Sequence, residues 1–172
     1  MKISIKNILF FLFLLVFQLL ILDHTSISIF INPYIYPLII ILLPFEISGW
    51  VLLISAFILG FVVDIFNGTV GLHMFATVGM AAFRPLLINL FSLQKLDNNN
   101  SLNIKSLGLI VSGSFIGILL FIHHVLYFVL ESFSFAHFHF LALRIILSTL
   151  VSLLLCMLLL LIFRNNTKGN ER

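Results

Sequence analysis

Apolar residues dominate the chain in runs long enough to cross a lipid bilayer, and short polar stretches separate the runs. A transmembrane α-helix needs about 20 apolar residues. The pattern predicts six such helices, with the spans 7–22, 30–45, 48–66, 71–92, 107–130 and 141–163. The second span is the least regular, because Pro33, Pro37 and Pro44 fall in or near it. Prolines are tolerated at membrane depth where neighbouring helices satisfy the freed backbone groups, so we expect a packed element there that is short, tilted or broken.

Composition agrees with this pattern. Of the 172 residues, 62% are hydrophobic and only 9% are charged, which is too little charge to cover the surface of a soluble domain. The predicted fold class is therefore all-α, a single polytopic membrane domain over residues 1–172 with six transmembrane helices. One cysteine excludes an intramolecular disulfide. The small, scattered net charge of +3 does not indicate a nucleic-acid partner.

Lysine and arginine gather on one side of this topology, because an even number of spans places both termini together. That side collects Lys2, Lys6, Lys95, Lys105, Arg164, Lys168 and Arg172. The opposite side has only Arg144, at the start of the last helix. The positive-inside rule then predicts that both termini are cytoplasmic. No Ala-x-Ala pattern follows the first apolar run, so we expect that run to be retained as a helix.

An aspartate and three glycines mark the junction of the third and fourth helices. Asp64 follows the long apolar run 50–63, and Gly60, Gly68 and Gly71 surround it. A carboxylate at membrane depth costs about 3 kcal/mol, so it normally faces the protein interior and has a role. Three interpretations stay open for Asp64: a brace for the bend that follows it, a partner-docking surface, or a ligand or metal site. Gly68 and Gly71 are expected to set the angle between the helices, because glycine enters positive φ without steric cost.

Other polar residues fall near the same, outer end of the predicted helices. They are His73, His123, His124, Glu131, His137, His139 and Arg144. We expect a buried polar cluster in which Asp64 pairs with Arg144 or with a histidine. The His137-x-His139 spacing is too weak a pattern to predict zinc, and we expect no metal and no cofactor.

Arg84 and the small residues suggest how the helices are arranged. Arg84 is expected to extend to the cytoplasmic interface, or to pair with Glu46. Gly113 and Gly117 have GxxxG spacing, which favours close helix contact, either within the bundle or in a groove for a partner. Further small residues recur at Ala76, Gly79 and Ala82, and at Ser148, Ser152 and Cys156. The first helix has no small residue between Leu9 and Leu22, and we expect it to be peripheral.

Catalytic patterns are missing from the sequence. It has no Gly-x-Ser-x-Gly elbow, no HExxH and no Walker loop. A proton or ion relay needs titratable groups across the whole membrane, and the inner half offers only Arg84. We expect a protein that is not an enzyme.

The pattern Gly60-x3-Asp64-x3-Gly68-x2-Gly71, preceded by Asn32-Pro33 at the entry to a short second helix, resembles the bacterial rod shape-determining protein MreD family. By architecture the resemblance covers nearly the whole chain, and by specific residues it covers about 32–84. Asp64, Gly68 and Gly71 match the family pattern, whereas His73 and Arg84 are not carried over. The resemblance implies a non-catalytic protein of the inner membrane that helps the elongasome insert peptidoglycan along the side wall.

The resemblance also implies partners and a second possible role. The partners would be the membrane-anchored MreC and, through it, MreB, RodA and a penicillin-binding transpeptidase. We expect lateral binding of a single-span partner through small-residue grooves. The implied fold is similar to the S-component of energy-coupling-factor transporters, which bind vitamins or metals, and this is the alternative function. The first helix lacks the Ala-x3-Ala face with which such components dock, and this favours the cell-shape role.

Overall fold

Helices form where five of the six apolar runs predict them. The structure is a computed structural model and describes residues 5–24, 30–91, 93, 108–133 and 138–165. In order, the helices are α1 Ile5–Phe17, α2 Leu38–Ile41, α3 Gly49–Asn67, α4 Leu72–Leu90, α5 Leu109–Ser132 and α6 Phe138–Asn165. A π-helical turn, Gln18–Leu22, continues α1. In these parts of the chain the all-α prediction is confirmed, and the long helices end within a few residues of their predicted limits.

Among the described residues, three helices are long and apolar enough to cross a membrane. They are Gly49–Asn67, Leu109–Ser132 and the Phe138–Ile162 part of α6. Large apolar side chains remain exposed along α1, α3 and α6. Such a surface is typical of a chain that lies in lipid, since a soluble helix exposes a polar face.

Consecutive helices pack side by side from α3 to α6. An added Cβ on Gly79 of α4 would lie 2.4 Å from Leu126 Cδ1 of α5, and the rings of Phe91 and Phe115 meet further along the same two helices, 6.4 Å apart. These two contacts show that α4 and α5 are antiparallel. We call the end of the bundle with the α3–α4 turn the Asp64 end, and the opposite end the Arg84 end.

The second predicted helix is mostly wrong. Only Leu38–Ile41 is helical, in a single turn, and residues 32–35 belong to no helix or strand. Pro33 and Pro37 explain the difference, because proline removes a backbone donor and the residue before it avoids helical angles. The expectation of a packed, broken element is confirmed, since Ile35, Tyr36 and Leu38 are fully buried. We call residues 30–37 the extended segment.

The extended segment and α2 occupy the interior of the bundle, and α1 covers them. Phe10 and Leu14 of α1 and Gln18 of the π-helical turn are buried, whereas Leu9 and Leu12 of α1 and Leu20 of the turn are exposed. The first helix is therefore only partly peripheral: one face packs inward and the other is exposed.

Candidate functional site

The α3–α4 turn is built on two glycines in the left-handed region. Gly68 ends α3 with φ 65° and Gly71 begins α4 with φ 78°. The amide of Gly68 donates to the carbonyl of Asp64, which closes the end of α3. The prediction that these glycines are needed for positive φ is confirmed, and it explains their spacing.

Asp64 caps the start of α4 from across this turn. Its Oδ1 accepts hydrogen bonds from the amide of His73 at 3.0 Å and from the Thr69 hydroxyl at 2.5 Å. Its Oδ2 accepts from the amide of Met74 at 2.9 Å. These amides belong to the first turn of α4, which has no intrahelical partners for them and carries the positive end of the helix dipole. Of the three interpretations of Asp64, the brace is the one that these contacts support.

Gly60 brings the two helices into backbone contact. An added Cβ would lie 2.4 Å from Met74 Cα, 2.8 Å from Met74 N and 2.9 Å from the carbonyl oxygen of His73. Main-chain atoms cannot move aside as a side chain can. Gly60 therefore allows α4 to begin close enough for the Asp64 carboxylate to reach it.

The predicted pairing of Asp64 with Arg144 or a histidine ring is wrong. Both oxygens of Asp64 are occupied by the α3–α4 turn, and the Arg144 guanidinium binds Glu131 instead, with Nη1 2.5 Å from Oε2 and Nη2 3.3 Å from Oε1. The guanidinium also stacks 4.5 Å from the centre of the Phe128 ring. In the amide orientation that satisfies both of its atoms, Asn32 accepts a bond from Arg144 Nη2 at 2.6 Å. Arg144 therefore ties α5, α6 and the extended segment together.

A polar cluster does form at the Asp64 end, but a tyrosine organises it. The hydroxyl of Tyr36 lies 2.7 Å from His123 Nε2, 3.1 Å from His73 Nδ1 and 3.1 Å from Thr77 Oγ1. Thr77 donates its own proton to the carbonyl of His73 at 2.6 Å. We call Tyr34, Tyr36, His73, Thr77, His123, His124 and Tyr127 the aromatic–histidine cluster, and all of them are buried.

Hydrogen-bond counting shows that this cluster is almost fully satisfied. The Tyr36 hydroxyl has one proton and three polar neighbours, so at least one of the two histidines must donate to its oxygen. His123 Nδ1 is left as a buried nitrogen with no partner among the described residues.

His124 connects the cluster to α6. Its Nδ1 lies 2.7 Å from the carbonyl oxygen of Leu120, and its Nε2 lies 3.3 Å from the Ser152 hydroxyl. Ser152 in turn accepts from the amide of Tyr34 at 2.8 Å. If His124 carries its proton on Nδ1, every group along this chain has a partner. The ring of Tyr34 stacks on that of His124, with centroids 5.5 Å apart.

Side chains of two helices satisfy the backbone of the extended segment. Ser148 and Ser152 of α6 accept from the amides of Asn32 and Tyr34 at 3.0 and 2.8 Å. On the other side, Gln18 accepts from the amide of Ile35 at 2.8 Å and donates to the carbonyl of Pro33 at 3.2 Å. The serines that the sequence suggested as small packing residues therefore serve as hydrogen-bond partners. Non-helical backbone at membrane depth needs such partners, because it has no helical bonds of its own.

Asp23 holds Gln18 in place and reaches α3. It accepts from Gln18 Nε2 at 2.6 Å and from Asn67 Nδ2 at 3.0 Å. Burial raises the pKa of the Asp23 carboxyl above its ordinary value, although both hydrogen bonds act in the opposite direction. Asp23 therefore links the π-helical turn to the end of α3.

Arg84 neither extends to an interface nor pairs with Glu46, so both expectations for it are wrong. It is 1% exposed, and its guanidinium donates to the carbonyls of Ile41, Leu43 and Pro44. It also lies 5.4 Å from the centre of the Phe45 ring. These carbonyls lie at the end of α2 and directly after it, where a buried cation is a suitable partner for them.

Gly113 and Gly117 face α6. A Cβ on Gly113 would lie 3.7 Å from Met157 Cε, and one on Gly117 would lie 3.2 Å from Leu153 Cδ2. The bundle itself therefore uses the GxxxG face, and the contacts are with the ends of flexible side chains.

In the part of the chain that the structure describes, no group of three or more His, Cys, Asp or Glu residues could hold a metal ion. His139 is exposed at the start of α6, apart from the aromatic–histidine cluster, and His137 lies outside the described residues.

Tyr34, Tyr36 and Gln18 are the site residues that the sequence did not reveal. The signal that the sequence offered was Gln18, a glutamine in a helix that is otherwise apolar.

Comparison with protein-family models, with curated proteins and with solved structures gives no match for this chain.

Proposed function

We propose that this chain is a non-catalytic scaffold of the bacterial inner membrane, similar in role to the MreD family. In this proposal the extended segment with α2 forms the second of six membrane crossings. The Asp64 end faces outward and the Arg84 end faces the cytoplasm, as the distribution of Lys and Arg favours.

The observation that carries the proposal is the α3–α4 turn. The residues on which the resemblance to MreD rests all shape this turn: Asp64 accepts hydrogen bonds from the amides of His73 and Met74, Gly68 and Gly71 have positive φ, and Gly60 lets the two helices meet. Asp64 is consumed in holding two backbones together and is not presented to a substrate. A side chain used in this way suits a protein that maintains a shape rather than one that performs a reaction.

The proposed partner is MreC, and through it MreB, RodA and a penicillin-binding transpeptidase. Gly113 and Gly117 are occupied by α6, so a single-span partner would bind elsewhere on the bundle. The α3–α4 hairpin would then present a fixed surface for the partner rather than a groove of small residues.

Depletion of the protein in its own bacterium tests the proposal. Cells should lose their rod shape and become round, and the wild-type gene should restore the rods. Asp64→Ala should not restore them at wild-type transcript levels, whereas Gly113→Ala should. Rods that persist after full depletion would refute the role in cell shape.

An S-component role is the alternative, and the aromatic–histidine cluster is the observation in its favour. The cluster lies in the outward half, where such a component holds its ligand, and it contains the unpartnered His123 Nδ1. Affinity purification from native membranes separates the two roles. Recovery of an ATP-binding cassette pair would favour uptake, and recovery of MreC would favour the scaffold.

A further inference from the structure

Apolar side chains are exposed at the Asp64 end, in the α3–α4 turn and at the described ends of α5 and α6. Val70 in the α3–α4 turn is 97% exposed and Phe133 after α5 is 88% exposed. Phe66 and Phe138 beside them are 69% and 60% exposed. Single exposed apolar residues are ordinary, but turns that project into water normally consist of polar residues, glycine and proline. We call these four residues the tip residues.

Phe133 retains a large apolar ring at a strained position. Its φ of 41° lies in the left-handed region, and no other non-glycine residue in the described ranges has positive φ. This conformation costs an L-residue about 1–2 kcal/mol, and the same chain uses glycine for it at positions 68 and 71. In water, no favourable interaction would offset the free-energy cost of the strained backbone and of the exposed apolar ring.

Charges at this end are all engaged. Among its described residues, Asp64 is buried in the turn and Asp23 accepts from Gln18 and Asn67. Glu131 and Arg144 pair with each other. No free acid, lysine or arginine therefore accompanies the tip residues to hold them in water.

Helix length places these tips at a definite depth. Helices α3 and α4 have 19 residues each, and a helix of that length spans about 28 Å. The hydrocarbon core alone is about 30 Å thick, and the whole bilayer about 40–45 Å. A hairpin of this length, placed across the core, ends within the headgroup layer.

The tip of α5 lies at the same depth. Gly79 of α4 meets Leu126 of α5, and Leu72 and Phe133 each lie about 10 Å from that contact along their antiparallel helices. Phe133 is therefore level with the start of α4 and with the turn that contains Val70.

From exposure, strain, charge and length together, we infer that the tip residues insert into the headgroup layer of the outer leaflet, so that the described ends of these helices lie level with the membrane surface on that side. The occupant of this surface is phospholipid. The inference rests on the membrane placement in the proposed function and adds to it: an outer partner that contacts the α3–α4 turn must meet it at the level of the headgroups, because that turn does not protrude as a docking loop.

Tryptophan fluorescence tests this placement. The chain has a single tryptophan, so Trp50→Phe gives a silent background for Val70→Trp and Phe133→Trp. The full chain is reconstituted in phosphatidylcholine vesicles, with lipids brominated either near the headgroup or near the chain end, and iodide is the aqueous quencher. Both tryptophans should be quenched most by the shallow bromine, and iodide should quench them several-fold less than free N-acetyltryptophanamide.

A control residue in the middle of a helix distinguishes failure of the membrane placement from failure of the headgroup-layer inference. Ile58 lies near the middle of α3 and is 55% exposed, so Ile58→Trp should be quenched most by the deep bromine. If Ile58→Trp escapes both brominated lipids, the membrane placement itself fails. If Ile58→Trp responds but Val70→Trp and Phe133→Trp are quenched by iodide like the free compound, only the flush outer surface is refuted. Protection from iodide without quenching by shallow bromine would also overturn it. Phe66→Trp, an aromatic exchange, replaces Val70→Trp if that variant does not fold.

Discussion

The α3–α4 and α5–α6 hairpins both have glycines that indicate close packing, yet glycine serves different purposes in them. At Gly60 an added Cβ would meet the backbone of Met74 at 2.4 Å. At Gly113 and Gly117 it would meet only the side-chain ends of Met157 and Leu153, at 3.7 and 3.2 Å. The first contact is between two main chains, and the second is between a main chain and a movable side chain.

The difference indicates where the fold is rigid. In the α3–α4 hairpin, the close approach at Gly60 is followed by the Asp64 cap and by two glycines with positive φ, and each feature depends on the others. The α5–α6 hairpin has adaptable apolar packing along the GxxxG face and a partly exposed ion pair, Glu131–Arg144, at its end. Spacing alone makes the two glycine sets look equivalent, and only the atoms that face them tell them apart.

Gly60→Val should have the largest effect. The added Cβ and its methyl groups would push α3 from α4, and we expect a loss of about 3 kcal/mol, the upper range for overpacking. Thermal unfolding followed by size-exclusion chromatography in detergent measures it. Gly113→Val is the matched control in the other hairpin, and equal losses for the two variants would remove the distinction between the hairpins.

Asp64→Ala should come next. It leaves the amides of His73 and Met74 without their acceptor, and unpaired buried donors cost about 1–3 kcal/mol each. We expect a net loss of about 2 kcal/mol, the upper end of the measured capping losses, because two donors lose their acceptor at once. Asp64→Asn keeps one acceptor oxygen and should be intermediate. If hydrogen exchange at the first turn of α4 were unchanged in Asp64→Ala, the capping role would be wrong.

Gly68→Ala should have a smaller effect that separates φ from packing. No atom lies within 4 Å of its added Cβ, but φ is +65°, so the expected loss is about 1 kcal/mol from conformation alone. Gly68→Asn should recover part of it, since asparagine tolerates this region. Gly49→Ala is the control, because that glycine has open space and no positive φ. A Gly68→Ala protein as stable as Gly49→Ala would show that the turn can relax.

Much of this hairpin can be predicted from the sequence. Apolar run length defines a helix because lipid leaves the backbone no other partner, and α3 and α4 end within two residues of the predicted limits. The positive φ of Gly68 and Gly71 follows from two glycines placed between such runs. An acid at the end of the first run can be expected to act on the turn beside it, since that partner is local.

The rest of the site depends on long-range partners that spacing does not encode. Tyr36 binds residues 37 and 87 positions away, and Ser152 binds an amide 118 positions away. Residues 30–45 are as apolar as a helix, and only their prolines suggested otherwise. For Arg84 the sequence predicts an interface or a pair with Glu46, whereas in the structure its guanidinium donates to carbonyls at the end of the broken second element, inside the bundle.

Gly113→Ala and Gly117→Ala should have the smallest effects on stability, and they test most directly how the two hairpins differ. The Cβ at position 113 would be in ordinary contact at 3.7 Å, so the gain in helix propensity of about 0.5–1 kcal/mol should prevail and stabilise the protein slightly. At position 117 the Cβ would lie 3.2 Å from Leu153 Cδ2, and rotation of that leucine should bring the net change close to zero. Both are measured by thermal unfolding beside Gly60→Ala, which should be clearly destabilised. Since all three exchanges add the same methyl group to a helix, any difference among them reports what faces each glycine. A loss at position 113 as large as that at position 60 would mean that α5 and α6 meet as rigidly as α3 and α4, and that the GxxxG face sets the geometry of the bundle.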